Sequence, residues 1–165
     1  MKHLFLLSIL FFYSCKTTSF YIVRHAEKAA PNATMSGDVP LSDAGRQRAI
    51  DLRERLQYAH ITQIYSTNTT RTRSTAAPMA DFYHLPILIY DTNADSTFTD
   101  SLRHTKRNTL IIGHSNTVDD LVNKLLGRTV LINDLPDNAY NNLYIITKRG
   151  KQFYFNASVY GAANP

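Results

Sequence analysis

Short apolar segments rich in β-branched residues alternate along this chain with longer segments whose apolar residues recur at helical spacing. This alternation constrains the fold, because two strands joined through a helix lie parallel in one sheet. We predict strands at 20–23, 61–65, 87–90, 110–112, 143–147 and 152–156. We predict helices after the N-cap Ser42, over 70–83 with Pro78 kinking or splitting it, around Phe98 and Leu102, and from Val118 to Leu125. The fold class is therefore α/β: a three-layer sandwich with a mostly parallel sheet, helices on both faces, and an antiparallel C-terminal edge hairpin turning at 148–151.

Length and composition place the chain among globular proteins of one domain. Of its 165 residues, 44% are hydrophobic and 19% are charged, which excludes a disordered, collagenous or multiply membrane-spanning protein. The net charge of +5 favours anionic partners. Nucleic acid is not expected among them, because the basic residues are dispersed and no aromatic stacking motif accompanies them. The sequence leaves the oligomeric state open.

The N-terminus has the order of a secretory signal, in which a lysine, the apolar run 4–13 and the small Ser14 precede Cys15. The run is much shorter than the ~20 residues that a membrane-spanning helix requires. Because Cys15 is the only cysteine and follows the run directly, the segment resembles a bacterial lipoprotein signal. We expect removal of 1–14, lipidation of Cys15, and a single domain over 15–165 anchored on the periplasmic side of a bacterial membrane. An ordinary cleaved signal and a buried strand are the alternatives.

Polar clusters follow three of the predicted parallel strands. Arg24 and His25 end the first strand, 66–73 follow the second, and 113–115 follow the fourth. Ligands of such sheets bind beyond the carboxyl ends of the strands. Guanidinium groups match phosphate oxygens two at a time, and an imidazole can bind phosphate or attack it. The clusters therefore predict a phosphate pocket.

Four motifs in this order resemble those of the histidine phosphatase (phosphoglycerate mutase-like) superfamily. They are VRHAEK at 23–28, with Ala26 where glycine is usual; PLSDAGRQRA at 40–49; YST at 65–67 followed by RTRSTA at 71–76, with one extra residue between them; and IGHS at 112–115. The short chain lacks the insertions of larger members, so it looks like the small phosphohistidine-phosphatase-like branch. The resemblance implies an enzyme, a phosphatase, with the α/β fold predicted above.

The resemblance also implies a role for each matching residue. His25 is the nucleophile that carries a phosphohistidine intermediate, which water then hydrolyses. Arg24, Arg71 and His114 hold the phosphate oxygens, and Ser115 contacts the substrate beside them. No metal and no cofactor is expected to take part. The substrate is a small phosphorylated molecule.

None of the four motifs supplies the general acid. Glu27 and Glu54 are the only glutamates, so no glutamate follows the helix that carries Arg71. Asp91 is the best-placed acid because it follows the third strand, and Asp95 is next; the alternative is that Asp91 is a turn residue. The expected function is metal-independent hydrolysis of a phosphomonoester. Alternatives are a phosphohistidine or phosphoramidate phosphatase, and a non-catalytic lipoprotein that binds a phosphorylated ligand.

Other charged residues are assigned to the surface or the pocket mouth. Arg73 lies about 200° around the helix from Arg71, so both cannot face one phosphate. Glu27 and Lys28 either line the mouth or form a salt pair within the loop. We expect solvated surface positions for Arg46, Arg48, Arg103 and Arg107.

Overall fold

The computed structural model describes residues 17–30, 38–91 and 96–164. The strands are β1 (Thr17–Arg24), β2 (Gln63–Ser66), β3 (Ile87–Ile89), β4 (Thr109–Gly113), β5 (Asn142–Arg149) and β6 (Gln152–Val159). The helices are α1 (Asp43–Leu56), α2 (Thr70–Tyr83), α3 (Ser96–His104) and α4 (Val118–Leu126). The predicted signal at 1–14, Cys15 and Asp95 lie outside these ranges. No helix within them has the length and apolar character needed to cross a bilayer.

The strands form one sheet in the order β3-β2-β4-β1-β5-β6. The first four strands run parallel to one another, and β5 is antiparallel to both β1 and β6. This arrangement confirms the predicted α/β fold with a mostly parallel sheet and an antiparallel edge hairpin. The central position of β1 and β4 places the polar clusters that follow them side by side.

Two apolar cores cover the two faces of the sheet. On one face, Phe20 and Ile22 of β1 pack with buried residues of α4. On the other face, Val23 packs with buried residues of α1 and α2. The alternation follows from the two-residue period of a strand, which sends successive side chains to opposite faces. Both faces are thereby covered, as the strands of a parallel sheet require.

Three local features differ from the sequence prediction. The second helix is not split, because α2 continues through Pro78 although this residue has no N–H group to donate. The hairpin turn is shorter than 148–151, since Arg149 pairs with Gln152 and leaves two residues between the strands. Strand β1 begins three residues before the predicted start, because it pairs with β5 along its whole polar beginning.

The start of α1 packs closely on the segment that follows β1. Ser42 caps the helix as predicted, with its hydroxyl accepting from the N–H of Gly45 at 3.0 Å. A Cβ atom on Gly45 would lie 2.1 Å from the carbonyl oxygen of Glu27, so only glycine fits there. This close approach fixes the chain just beyond His25.

Candidate active site

The ends of β1 and β4 bring two histidines together. Arg24 lies opposite Gly113 in the parallel register, and the N–H of His25 donates to the Gly113 carbonyl at 2.9 Å. The ring centroids of His25 and His114 are 5.4 Å apart. Arg71 comes from the first turn of α2, with its Nη2 3.4 Å from Nδ1 of His114. The four residues predicted from the motifs therefore share one pocket.

The ring of His25 is buried and oriented by the backbone. Its Nδ1 lies 2.8 Å from the carbonyl oxygen of Ala26. Because a carbonyl can only accept, Nδ1 carries the proton and the lone pair is on Nε2. Burial, and secondarily the positive charges of Arg24 and Arg71, lower the pKa of His25 to about 3. The imidazole is therefore neutral at neutral pH, with a free nucleophilic nitrogen.

His114 is held in the opposite orientation. Its Nε2 lies 2.9 Å from the hydroxyl oxygen of Thr67, and its Nδ1 faces Arg71. Since a guanidinium only donates, Nδ1 is the accepting nitrogen and Nε2 donates to Thr67, whose own hydroxyl donates to Thr72. Burial, and then the charge of Arg71, lower the pKa of His114 to about 4. A bound anion would reverse the electrostatic part of this shift.

Arg24 is buried and anchored by one segment of backbone. Its Nη1 donates to the carbonyls of Pro136 at 2.8 Å, Asp137 at 3.1 Å and Ala139 at 3.4 Å. Its guanidinium carbon lies 4.4 Å from the centre of the Tyr140 ring, a cation–π distance. The buried Nε has no hydrogen-bond partner within the described residues. One N–H group of this buried cation is thus left unsatisfied by the described residues.

Arg71 is half-buried and lies beside a carboxylate that the motifs did not indicate. Its Nη1 is 3.7 Å from Oδ1 of Asp38, and its Nε finds no hydrogen-bond partner in the described part of the chain. Asp38 accepts from the backbone N–H and the hydroxyl of Thr70 at the start of α2. These hydrogen bonds lower the pKa of Asp38, so its carboxylate is ionised and unsuited to donate a proton.

Thr75 ties the nucleophile's loop to α2. Its hydroxyl accepts from the N–H of Ala26 at 2.9 Å and donates to the carbonyl of Arg71 at 2.8 Å. Ala26 is fully buried, so the pocket accommodates a methyl group where glycine was expected. Thr75 belongs to the motif at 71–76, so the sequence did contain a signal for its contact with Ala26.

Asp91 lies at the exposed end of the edge strand β3. Three strand spacings separate β3 from β1, which is about 14 Å at the usual spacing. Asp91 lines a surface cavity of about 380 Å³ with Asn68 and Thr69, which follow β2. Ser115 is half-buried directly after His114, and its carbonyl accepts from the N–H of Leu135. The roles given to Asp91 and Ser115 remain predictions.

Arg48 was expected at the surface, and that expectation is wrong. The residue is 3% exposed, and its Nε and Nη2 donate to the carboxylate of Glu27 at 2.8 and 2.6 Å. Glu27 therefore forms a salt pair, but with Arg48 of α1 and not with its neighbour Lys28. The close packing of α1 against the loop buries this guanidinium, and the ion pair compensates its charge.

Residues 20–95 match the family model of the histidine phosphatase superfamily, branch 1. The structure of the protein histidine phosphatase SixA complexed with tungstate superposes with a TM-score of 0.65 at 18% identity, covering 86% of this chain and 97% of that one. A mycobacterial glucosyl-3-phosphoglycerate phosphatase gives 0.64 at 12% identity, covering 89% and 100%. Bacillus stearothermophilus YhfR gives 0.62 at 18% identity, covering 83% and 94%. No curated protein sequence matches the chain.

The superpositions confirm the fold class, and the family model confirms the resemblance to the histidine phosphatase superfamily over residues 20–95. The family match covers the first motifs, from β1 to the end of the segment after β3. The likeness in fold to that structure extends over 86% of the chain. Among the described residues, no three His, Cys, Asp or Glu side chains form a group that could hold a metal ion.

Proposed function

We propose that this chain, a phosphatase of the histidine phosphatase superfamily, hydrolyses a phosphomonoester through a phosphohistidine formed on Nε2 of His25. One observation carries the proposal: the hydrogen bond from Nδ1 of His25 to the Ala26 carbonyl leaves Nε2 as a neutral lone pair inside a cationic pocket. A neutral imidazole needs no base to become a nucleophile.

The reaction proceeds in two balanced displacements. In the first, Nε2 of His25 forms a bond to phosphorus, the bond from phosphorus to the leaving oxygen breaks, and that oxygen takes up a proton. The phosphorylated imidazole keeps its Nδ1 proton, whose bond to the Ala26 carbonyl stabilises the added positive charge. In the second, water attacks phosphorus, the N–P bond breaks with its electron pair returning to Nε2 of His25, and inorganic phosphate leaves while the proton lost by the water passes to solvent.

The other three site residues stabilise the phosphoryl oxygens. Arg24 and Arg71 offer guanidinium nitrogens that have no partner within the described residues, and Nδ1 of His114 faces the same space. As negative charge gathers on the equatorial oxygens, the two guanidinium groups become stronger partners than in the ground state. Protonation of His114 on phosphate binding would add a further donor.

A second candidate is hydrolysis of a phosphohistidine or another phosphoramidate. It is supported by the absence of any glutamate after α2 and by the position of Asp91, which lies beyond the end of the edge strand β3. An alkoxide leaves poorly without a general acid, whereas the nitrogen of a phosphoramidate is protonated by solvent before it leaves. A panel that compares alkyl phosphates, aryl phosphates and phosphoramidates separates the two candidates.

Trapping of the intermediate tests the mechanism. The domain from residue 16 onward should hydrolyse p-nitrophenyl phosphate in excess EDTA, and brief exposure to labelled substrate should give an acid-labile, alkali-stable phosphoprotein. His25→Ala should abolish both turnover and labelling, while His104→Ala, at an exposed position on α3, should preserve them. Binding of phosphate without any turnover would instead favour the non-catalytic ligand-binding lipoprotein.

We also propose that Cys15 is lipidated and holds the enzyme at the periplasmic side of a bacterial membrane. The support is the ten-residue apolar run ending just before the only cysteine. Cys15→Ala in the full chain should leave a larger, unprocessed precursor that incorporates no labelled fatty acid. Persistent labelling of that variant would place the anchor elsewhere.

A further inference from the structure

We propose that Asn164 is a positioning residue of the active site, acting through Tyr140 on the phosphate-binding guanidinium of Arg24. The proposal rests on the phosphate site described under the proposed function. Asn164 lies beyond β6, and within the described part of the chain its side chain forms no hydrogen bond to either histidine of the pocket. Its effect on the reaction would therefore pass through the backbone that it holds.

The side chain of Asn164 fixes the backbone just before β5. Its Oδ1 accepts from the N–H of Tyr140 at 2.9 Å and from the N–H of Asn141 at 3.0 Å. The carbonyl of Asn141 in turn accepts from the N–H of Tyr160 at 3.0 Å. Tyr140 and Asn141 precede β5, and the one amide oxygen of Asn164 accepts from the N–H groups of both.

The segment held by Asn164 determines where Arg24 lies. Tyr140 places its ring 4.4 Å from the guanidinium carbon, and the ring centroids of Tyr140 and His25 are 6.2 Å apart. The three carbonyls that accept from Arg24 belong to residues 136–139 of the same segment. A shift of this backbone would move the aromatic face and the acceptors of Arg24 together.

The C-terminal segment 160–164 is anchored at its other end beside the nucleophile. Nη1 of Arg48 donates to the carbonyls of Tyr160 at 3.3 Å and Ala162 at 2.9 Å, while the same guanidinium binds Glu27. Gly161 has a φ of +64°, and a Cβ atom there would lie 2.6 Å from a carboxylate oxygen of Asp51. The chain therefore passes too closely over α1 for a side chain.

These contacts connect the segments on the two sides of His25 through the C-terminal segment. The connection runs from Glu27, two residues after the nucleophile, through Arg48 to the C-terminal segment, and then through Asn164 to the segment that carries Tyr140. Pre-organised donors catalyse well because they need not rearrange during the reaction. If the Asn164 oxygen were lost, the backbone around Tyr140 would shift, and the guanidinium of Arg24 would be less well oriented towards the phosphate.

The test compares isosteric substitutions. Asn164→Leu removes the accepting oxygen, Asn164→Asp keeps it, and Asn156→Leu is the matched control at an exposed position of β6. We expect Asn164→Leu to lower kcat/KM for p-nitrophenyl phosphate by about tenfold, the effect of losing two backbone hydrogen bonds. The dissociation constant for inorganic phosphate, measured by calorimetry, should rise with it. Asn164→Asp should recover kcat/KM to within about threefold of wild type, and Asn156→Leu should match wild type.

Two results would overturn the proposal. One is a folded Asn164→Leu protein whose kcat/KM and phosphate affinity equal those of wild type; the other is an equal loss in the Leu and Asp variants. If Asn164→Leu fails to fold, Asn164→Gln displaces the same oxygen by one methylene, and its kcat/KM must fall if the position of the acceptor matters. Phosphate affinity is measurable without turnover. An inactive wild-type protein would therefore refute the proposed function and still leave the role of Asn164 open to this test.

Discussion

Acidification should destabilise the fold mainly through the two histidines of the pocket. The pKa values of His25 and His114 are lowered to about 3 and about 4, chiefly by burial, whereas an imidazole in an unfolded chain titrates near 6.5. Below that pH the two imidazoles bind protons in the unfolded chain but stay neutral in the folded protein. The free energy of unfolding must therefore fall as the pH falls from about 6.5 towards 4.

The magnitude follows from the same shifts. For each neutral buried imidazole, the free energy of unfolding falls by about 1.4 kcal/mol per pH unit of acidification in this window. The two histidines together therefore lower it by on the order of 5 kcal/mol between about pH 6.5 and pH 4.5. A loss of that size is comparable to the whole stability of a small domain. Asp119 opposes it in part, because burial raises the pKa of its carboxyl and favours the folded state as the pH falls.

Urea unfolding followed by circular dichroism, repeated across this pH range, measures the slope. His25→Gln removes one of the two groups and should reduce the slope by about 1.4 kcal/mol per pH unit. His104→Gln, which removes an exposed imidazole from α3, should keep the wild-type slope. Equal slopes for wild type and His25→Gln would refute the conclusion that His25 is neutral in the folded protein.

Three further predictions concern the surroundings of the phosphate. Asp38→Asn keeps an acceptor for α2 but removes a negative charge 3.7 Å from Arg71, so the inhibition constant of inorganic phosphate should fall by about two- to fivefold; a rise would contradict this. Thr67→Val leaves the Nε2 proton of His114 without its acceptor and should lower kcat/KM by about tenfold or more, whereas Thr67→Ser should retain most activity. Asp91→Asn should lower the turnover of alkyl phosphates much more than that of p-nitrophenyl phosphate, and an equal fall for both would indicate damaged binding or folding.

The sequence predicts the central part of the pocket because its residues occupy strand ends and motifs. Arg24 and His25 end a strand of apolar residues, and the parallel direction of β1 and β4 follows from the alternation of strands and helices. The choice of Arg71 over Arg73 followed from motif position and helical angle. In the structure Arg71 reaches His114, while Arg73 is exposed.

The supporting residues are not predictable in this way, because their contacts join distant parts of the chain. Asp38 precedes Thr70 by 32 residues, and Asn164 follows Tyr140 by 24. Neither contact obeys a helix or strand period. Arg48 was misplaced for a similar reason, since an arginine is expected in water unless a partner is known, and its partner Glu27 is 21 residues away.

The pocket is arranged for a ligand that brings negative charge and accepts N–H groups. Without one, the buried Nε atoms of Arg24 and Arg71 have no hydrogen-bond partner within the described residues, and each such atom carries a desolvation cost of about 1–3 kcal/mol. Burial, and then the same positive charges, lower the pKa values of both histidines. A phosphate dianion removes both costs at once, because it accepts from the guanidinium groups and offsets the field that keeps His114 neutral. A neutral ligand does neither, so the positive charges of Arg24 and Arg71 select for phosphate before any contact with the rest of the substrate.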